Sequence, residues 1–179
     1  MSNEVWKEFE ENQLSHSAAH YLMTIRDLLQ ERGYARVTDV AKELNITRGS
    51  CSISLKALKR RGLVLEDDNK FLQLSEEGLS LADMVQHNDE LLETLFQEVL
   101  GVSHEQAEID ACKLEHLLSI ETSKALHKFI TLFRSEKSSA KEFIRELHRS
   151  REKVCVDDAN SCPNCGSVCM YAHGKESKE

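Results

Sequence analysis

Proline is almost absent: the 179 residues contain one, Pro163, and only seven glycines. So few breakers leave long periodic stretches uninterrupted and exclude a loop-rich or collagen-like chain. No apolar run approaches the roughly 18 residues needed to cross a bilayer, so no membrane span is expected. The opening MSNEVWKEFEENQ is acidic and lacks the basic and apolar regions of a secretory leader, so a cytoplasmic protein is expected. In that reducing compartment the six cysteines are expected as thiols or metal ligands rather than disulfides. There is no Gly-rich phosphate loop, HExxH or nucleophile motif. An enzyme, including a metal hydrolase with Glu115 as base, is therefore not expected.

What is present is an ordinary globular balance, 40% hydrophobic and 30% charged, enough to bury a core. The net charge of −8 is unevenly spread. From Asn45 to Leu65 every charged residue is basic: Arg48, Lys56, Lys59, Arg60 and Arg61. From Glu77 to Ile130 acids dominate, opposed by Lys113, Lys124 and Lys128 alone. Affinity for nucleic acid depends on a local basic face, so the split suggests a basic reading head and an acidic regulatory half.

Periodicity predicts a helix from Ser15 to Arg32 with Leu22, Ile25, Leu28 and Leu29 on one stripe, closed by Gly33. Thr38 is expected to cap a short helix, Asp39 to Leu44. After a turn at Asn45-Ile46, Thr47 caps a third helix that runs to about Arg61 and stops at Gly62. Cys51, Leu55 and Leu58 fall on its inner face. Its outer face carries Arg48, Ser50, Ser52, Ile53, Ser54 and Lys56, small or basic residues that allow close approach to base edges and phosphates. Thr38 and Thr47 complete the expected DNA-binding set.

Two short apolar runs, Leu63-Val64-Leu65 and Phe71-Leu72-Gln73-Leu74, flank a polar stretch and predict a hairpin. Helix, helix-turn-helix, then hairpin is a winged helix. The expected fold class is mainly α: an N-terminal winged helix-turn-helix with a small β-hairpin wing, followed by a helical dimerisation domain. Further helices are expected from Ser75 to about Gly101, from Ser103 through Leu118, from Thr122 to Phe133 and within Ser135 to Val154. Their apolar faces suit either a dimer interface or internal packing. The expected domains are residues 1–75 for DNA binding, 76–154 for metal binding and dimerisation, and 155–179 as a cysteine-rich tail.

Glu108, Cys112, Glu115 and His116 stand at i, i+4, i+7 and i+8, on one face of a helix. Carboxylate, thiol and imidazole together can bind a divalent transition metal. Asp89 and Glu93 are four apart on the preceding helix, and His16, His20 and Met23 are spaced four and three apart on the first. Three helices thus offer donors, although a solvated acidic face gives the same spacing.

The segments HYLMTIRDLLQERGYARVTDVAKELNITRGSCSISLKALKRRGLV, LSEEG, EVLGV and CKLEHLLS resemble the diphtheria toxin repressor and manganese transport regulator family over roughly residues 15 to 133. The resemblance implies a metal-dependent transcription repressor of metal homeostasis genes, a homodimer with one winged helix per subunit on a palindromic duplex operator. The Cys112-x-x-Glu115-His116 motif resembles the iron-type branch; the manganese branch has glutamate at the cysteine position. The family's first-helix ligand, a Met or Asp before a Tyr, falls on His20, and the manganese branch's second one falls on Met23. The family's histidine eleven residues after the glycine matched by Gly78 falls on Asp89, with His87 two residues earlier as a substitute. Glu93 and Glu108 fall on ancillary-site positions.

Thiolate and imidazole make a softer set than carboxylates alone. The expected ion is Fe(II), with Mn, Zn, Co and Ni as alternatives, and a manganese- or redox-responsive regulator of the same fold stays open. Larger family members add an SH3-like domain, for which this chain is too short. In its place stand Cys155, Cys162, Cys165 and Cys169, with His173 nearby. Their spacing suits a structural zinc site, an iron–sulfur cluster or free thiols.

Overall fold

The computed structural model describes residues 14–150. The expected tail site at Cys155, Cys162, Cys165, Cys169 and His173 lies outside the described residues. Helix α1 spans His16–Arg32; Ser15 caps it by accepting from the Ala18 amide, and Gly33 ends it in the left-handed region at φ 76°. Helix α2 is Val37–Glu43. Thr38 does not cap it, contrary to expectation: Arg36 takes the N-cap position, and its amide donates to the Asp39 carboxylate at 3.0 Å. The carboxylate at the third helical position satisfies that end better than a hydroxyl one residue inside it.

Asn45 makes the tight turn at φ 51°. Helix α3, Arg48–Arg60, starts on Thr47, whose hydroxyl accepts from the Ser50 amide at 3.1 Å. Cys51, Leu55 and Leu58 are buried, as their spacing predicts. Strands β1 (Val64–Glu66) and β2 (Leu72–Leu74) pair antiparallel with Val64 opposite Leu74, and Ala35 bridges to Leu72. Glu66 belongs to the first strand and Phe71 lies outside the second, so the hairpin connection is shifted by one residue from the polar stretch.

The core of this winged helix joins Leu22, Ile25 and Leu28 of α1 to Val40, Leu55, Leu63 and Leu72, together with Ala82 and Val85 of the next helix. That helix, α4, is Glu76–Thr94, capped by Ser75 and continued by a π turn, Leu95–Val99. Arg26, 7% exposed, staples α1 to it: the guanidinium donates to the Ala82 carbonyl (3.2 Å), Asp83 (3.3 Å) and Gln86 (3.2 Å).

Helix α5 is His104–Leu114, capped by Ser103. It tightens into a 3₁₀ turn, Glu115–Leu117, rather than running on through Leu118 as expected. Helix α6 spans Ile120–Phe133 and α7 spans Ser138–Ser150. By compactness the chain divides within α6, one unit ending at Ile130 and the next beginning at Thr131. No described helix is long and apolar enough to cross a membrane.

Candidate metal centre and basic cleft

The site is built around the end of α5. Glu115 opens the 3₁₀ turn, three residues after Cys112, and its carboxylate lies in the same group of donor atoms as the Cys112 sulfur. It turns inward and is 1% exposed. The side-chain amide of Asn88 on α4 donates to the Glu115 backbone carbonyl at 2.8 Å and fixes the turn.

Across from it stand two histidines of α1. His20 Nε2 is 3.3 Å from Cys112 Sγ and 3.7 Å from Glu115 Oε1; His16 Nε2 is 4.0 Å from the same sulfur. The donor atoms of His16, His20, Cys112 and Glu115 all lie within 4.8 Å of one another. Glu115 Oε1 and His116 Nδ1 are buried without a hydrogen-bond partner. An orphaned carboxylate oxygen facing a thiol and imidazoles is costly unless something else satisfies it. This donor set fits a divalent transition ion.

Of the expected ligands, the structure gathers His20, Cys112 and Glu115. The His116 ring stands 5.3 Å from that of His16, outside the four-donor group. Met23 is half-buried and packs against the hydrophobic core instead. Asp89 lies behind Glu115 and shares a hydrogen bond with it. Glu93 is near enough for its charge to act on Asp89. Glu108 is exposed and faces His104 one turn earlier on α5, at 3.4 Å. His87 points to His127 (3.1 Å between ring nitrogens), so of the two alternatives it is Asp89 that stands beside Glu115.

His16, which spacing offered as a donor one turn before His20, falls on none of the ligand positions that the family resemblance implies, yet it belongs to the four-donor group. Asn88 gave no such signal, because its contact lies 27 residues away.

Burial and the neighbouring Asp89 push the Glu115 carboxyl up to about 7; burial, then the Glu93 charge, raises Asp89 to about 6. Burial, with Glu115 and Asp89, raises the Cys112 thiol, while burial lowers His20 and His116. The ion-free site thus holds protons that a cation must displace.

A stability prediction follows. Folded Glu115 binds its proton more tightly than the unfolded chain, so its stabilising contribution is lost as pH rises through about 7. The lowered histidines oppose this only below their ordinary pKa of 6.5. Metal-free protein should therefore melt at a lower temperature at pH 8 than at pH 6.5, and Glu115→Gln should flatten the dependence. A wild-type midpoint that is level or rises over that range contradicts the assignment.

The second feature is a cleft of about 410 Å³ between α2, α3 and the hairpin, lined by Arg36, Thr38, Arg48, Ser52, Lys59 and Lys70 among others. Ile53 is 73% exposed on α3, and Ser52 and Lys56 are exposed beside it. Ser54 is half-buried. Thr47 and Ser50 bond each other in the helix cap (3.0 Å), which limits them as DNA contacts. Glu66 holds Lys59 and Lys70, the latter at 3.2 Å. Arg36, Asn69 and Lys70 are cleft residues that spacing does not reveal.

A winged helix-turn-helix whose first helix brings imidazoles to a thiol and a carboxylate of the helical half defines a class: winged-helix proteins with a candidate cation site. Residues 13–70 match the iron dependent repressor N-terminal DNA binding domain, and residues 75–144 match the iron dependent repressor metal binding and dimerisation domain. The chain belongs to the iron-dependent repressor family.

Among curated relatives, the iron-dependent repressor IdeR of Mycobacterium tuberculosis is 29% identical over 119 residues, covering 66% of this chain and 52% of the relative. The transcriptional regulator MntR of Bacillus velezensis is 28% identical over 126 residues, covering 70% and 88%. The chain thus spans about half the length of IdeR and most of MntR. Solved structures share the fold, two of them as follows. The crystal structure of T. acidophilum IdeR is 21% identical at TM-score 0.53, covering 63% of this chain and 53% of that one. The manganese regulator SloR is 24% identical at TM-score 0.57, with the same two coverages.

Proposed function

We propose that this protein is a metal-dependent, DNA-binding transcriptional repressor that acts as a homodimer, with Fe(II) as its activating ion. The observation that carries the reading is the donor group built from both halves of the chain: His20 on α1 of the winged helix, Cys112 and Glu115 on α5 and the 3₁₀ turn. His116 is held beside them, and Asp89 orients Glu115 from behind. Glu93 and Glu108 form an acidic flank that suits an ancillary cation. A bound ion supplies positive charge that neutralises Glu115 and the Cys112 thiolate in a site otherwise costly to ionise.

The chain's own residues then couple that site to DNA. Asn88 anchors the turn to α4, and Arg26 anchors α4 to α1, so the donors sit on a continuous braced frame. Bringing α1 against Cys112 and Glu115 favours one setting of the reading head. Moving such a balance from 1:99 to 99:1 takes about 10⁴-fold differential affinity, roughly 5.5 kcal/mol. The exposed apolar residues Ile109, Leu114, Leu117 and Ile120 suit a second copy of the chain. A symmetric dimer reads a palindrome, with half-sites about 34 Å apart for each helical turn between them.

The softness of thiolate and imidazole favours Fe(II), Co(II) or Zn(II) over Mn(II). The direct test is an anaerobic titration of metal-free protein with Fe(II), Mn(II) and Zn(II), read by binding to a duplex selected with the metal-loaded chain. Fe(II)-dependent binding that weakens steeply with salt is expected. Chelator-insensitive binding defeats the proposal. Arg48 lines the cleft at the start of α3. Arg48→Ala should lower affinity about tenfold even at saturating metal and reduce the salt slope by about 1; wild-type affinity removes it from the interface.

A further inference from the structure

We propose that His16 is a fourth protein ligand, so that the ion is enclosed by two nitrogens, one sulfur and one oxygen and the site discriminates against Mn(II). The inference rests on the reading of the His20, Cys112 and Glu115 cluster as the regulatory cation site and goes beyond it.

His16 and His20 stand one turn apart on α1, their rings 4.4 Å apart, edge to face. The pair is on the side of the helix that faces α5, as both distances to Cys112 Sγ show. For bonds of about 2.0–2.1 Å to nitrogen and 2.3 Å to sulfur, tetrahedral donors lie about 3.3–3.8 Å apart. The His20–Cys112 separation of 3.3 Å is within that range. The His16–Cys112 separation of 4.0 Å needs a closure of a few tenths of an ångström. His16 is exposed at the first position of its helix, where a small movement of the ring costs little beyond an adjustment of its contacts with His20 and His116.

Two consequences follow. Four protein donors including sulfur suit Fe(II), Co(II) or Zn(II) in a tetrahedral shell, whereas Mn(II) favours oxygen-rich octahedral sites. A single ligand on α1 is also a pivot, while two ligands a turn apart fix the direction of the helix axis as well. The grip on the reading head is correspondingly stiffer.

Co(II) tests this in the full chain, because four-coordinate Co(II) absorbs far more strongly in the visible than five- or six-coordinate Co(II), and thiolate ligation adds a near-ultraviolet charge-transfer band. Wild type should show both features. His16→Ala should keep the charge-transfer band from Cys112, lose most of the visible intensity and bind Co(II) at least about tenfold more weakly. Its Mn(II) affinity should change much less, so the Co(II)/Mn(II) preference narrows. Far-ultraviolet circular dichroism should match wild type. Unaltered visible intensity and Co(II) affinity in His16→Ala overturn the role of His16 while the site stands. A wild type without the charge-transfer band overturns the site itself, and His16 with it.

Discussion

Glu115→Gln should abolish metal-dependent operator binding and leave the fold intact. The side chain is fully buried, so replacing it by a near-isosteric amide opens no cavity. What disappears is the negative charge opposite His20 and Cys112, and with it the donor that a cation gains most from. Asp89 stays nearby, and the glutamine amide can still donate to its carboxylate, but Asp89 stands outside the group of donor atoms that faces the histidines. Operator affinity with Fe(II) present should fall to the metal-free value, a loss of up to about 10⁴-fold if the ion shifts the population as far as the arithmetic above requires. His116→Ala should reduce activation in the same direction. Two variants that both respond to metal like wild type would take the regulatory site away from this cluster.

The second large effect is on stability. Gly78→Ala places alanine, the best helix former, inside the first turn of α4. Intrinsic propensity alone predicts a gain of up to about 1 kcal/mol. The tertiary contact predicts the reverse. A Cβ at this position would lie 2.2 Å from the Leu63 carbonyl oxygen, a backbone atom. That carbonyl cannot swing away cheaply, since it accepts from the Ser75 amide at 3.0 Å and the Ser75 hydroxyl at 3.3 Å. Ser75 in turn caps α4 by accepting from the Gly78 amide at 3.0 Å. The substitution forces apart the wing and the start of α4. A net loss of at least about 2 kcal/mol is expected, a fall of about 4–8 °C in melting temperature. An unchanged or raised melting temperature would show that the joint yields.

Metal activation should weaken in the same variant, because α4 carries both Asn88, which positions Glu115, and the carbonyl that holds Arg26. Stability and regulation meet at one close approach. The glycine that resemblance used merely to count eleven residues to Asp89 has its own physical reason to be there.

Local rules made much of this molecule legible. The caps at Ser15, Thr47, Ser75 and Ser103 lie where a hydroxyl precedes an apolar period, because each satisfies an amide three residues on. Cys51, Leu55 and Leu58 are inward because a helix repeats every 3.6 residues. Where two local devices compete, spacing alone was insufficient: the carboxylate of Asp39 set the start of α2 at Arg36, not at Thr38.

The site divides along the same line. Sequence by itself determined which donors exist, that Cys112 and Glu115 are neighbours on one segment, and that the basic residues concentrate on α3. Only the tertiary structure decided which donors meet. The amide of Asn88 holds the Glu115 carbonyl and the Glu115 side chain is buried, Glu108 stays in solvent, Met23 goes to the core, and His16 joins His20. Spacing within one helix follows from the chain's own hydrogen bonds. Proximity between α1 and α5 depends on how α4 is packed between them, through contacts that span 56 residues at Arg26 and 27 at Asn88, which no local pattern encodes.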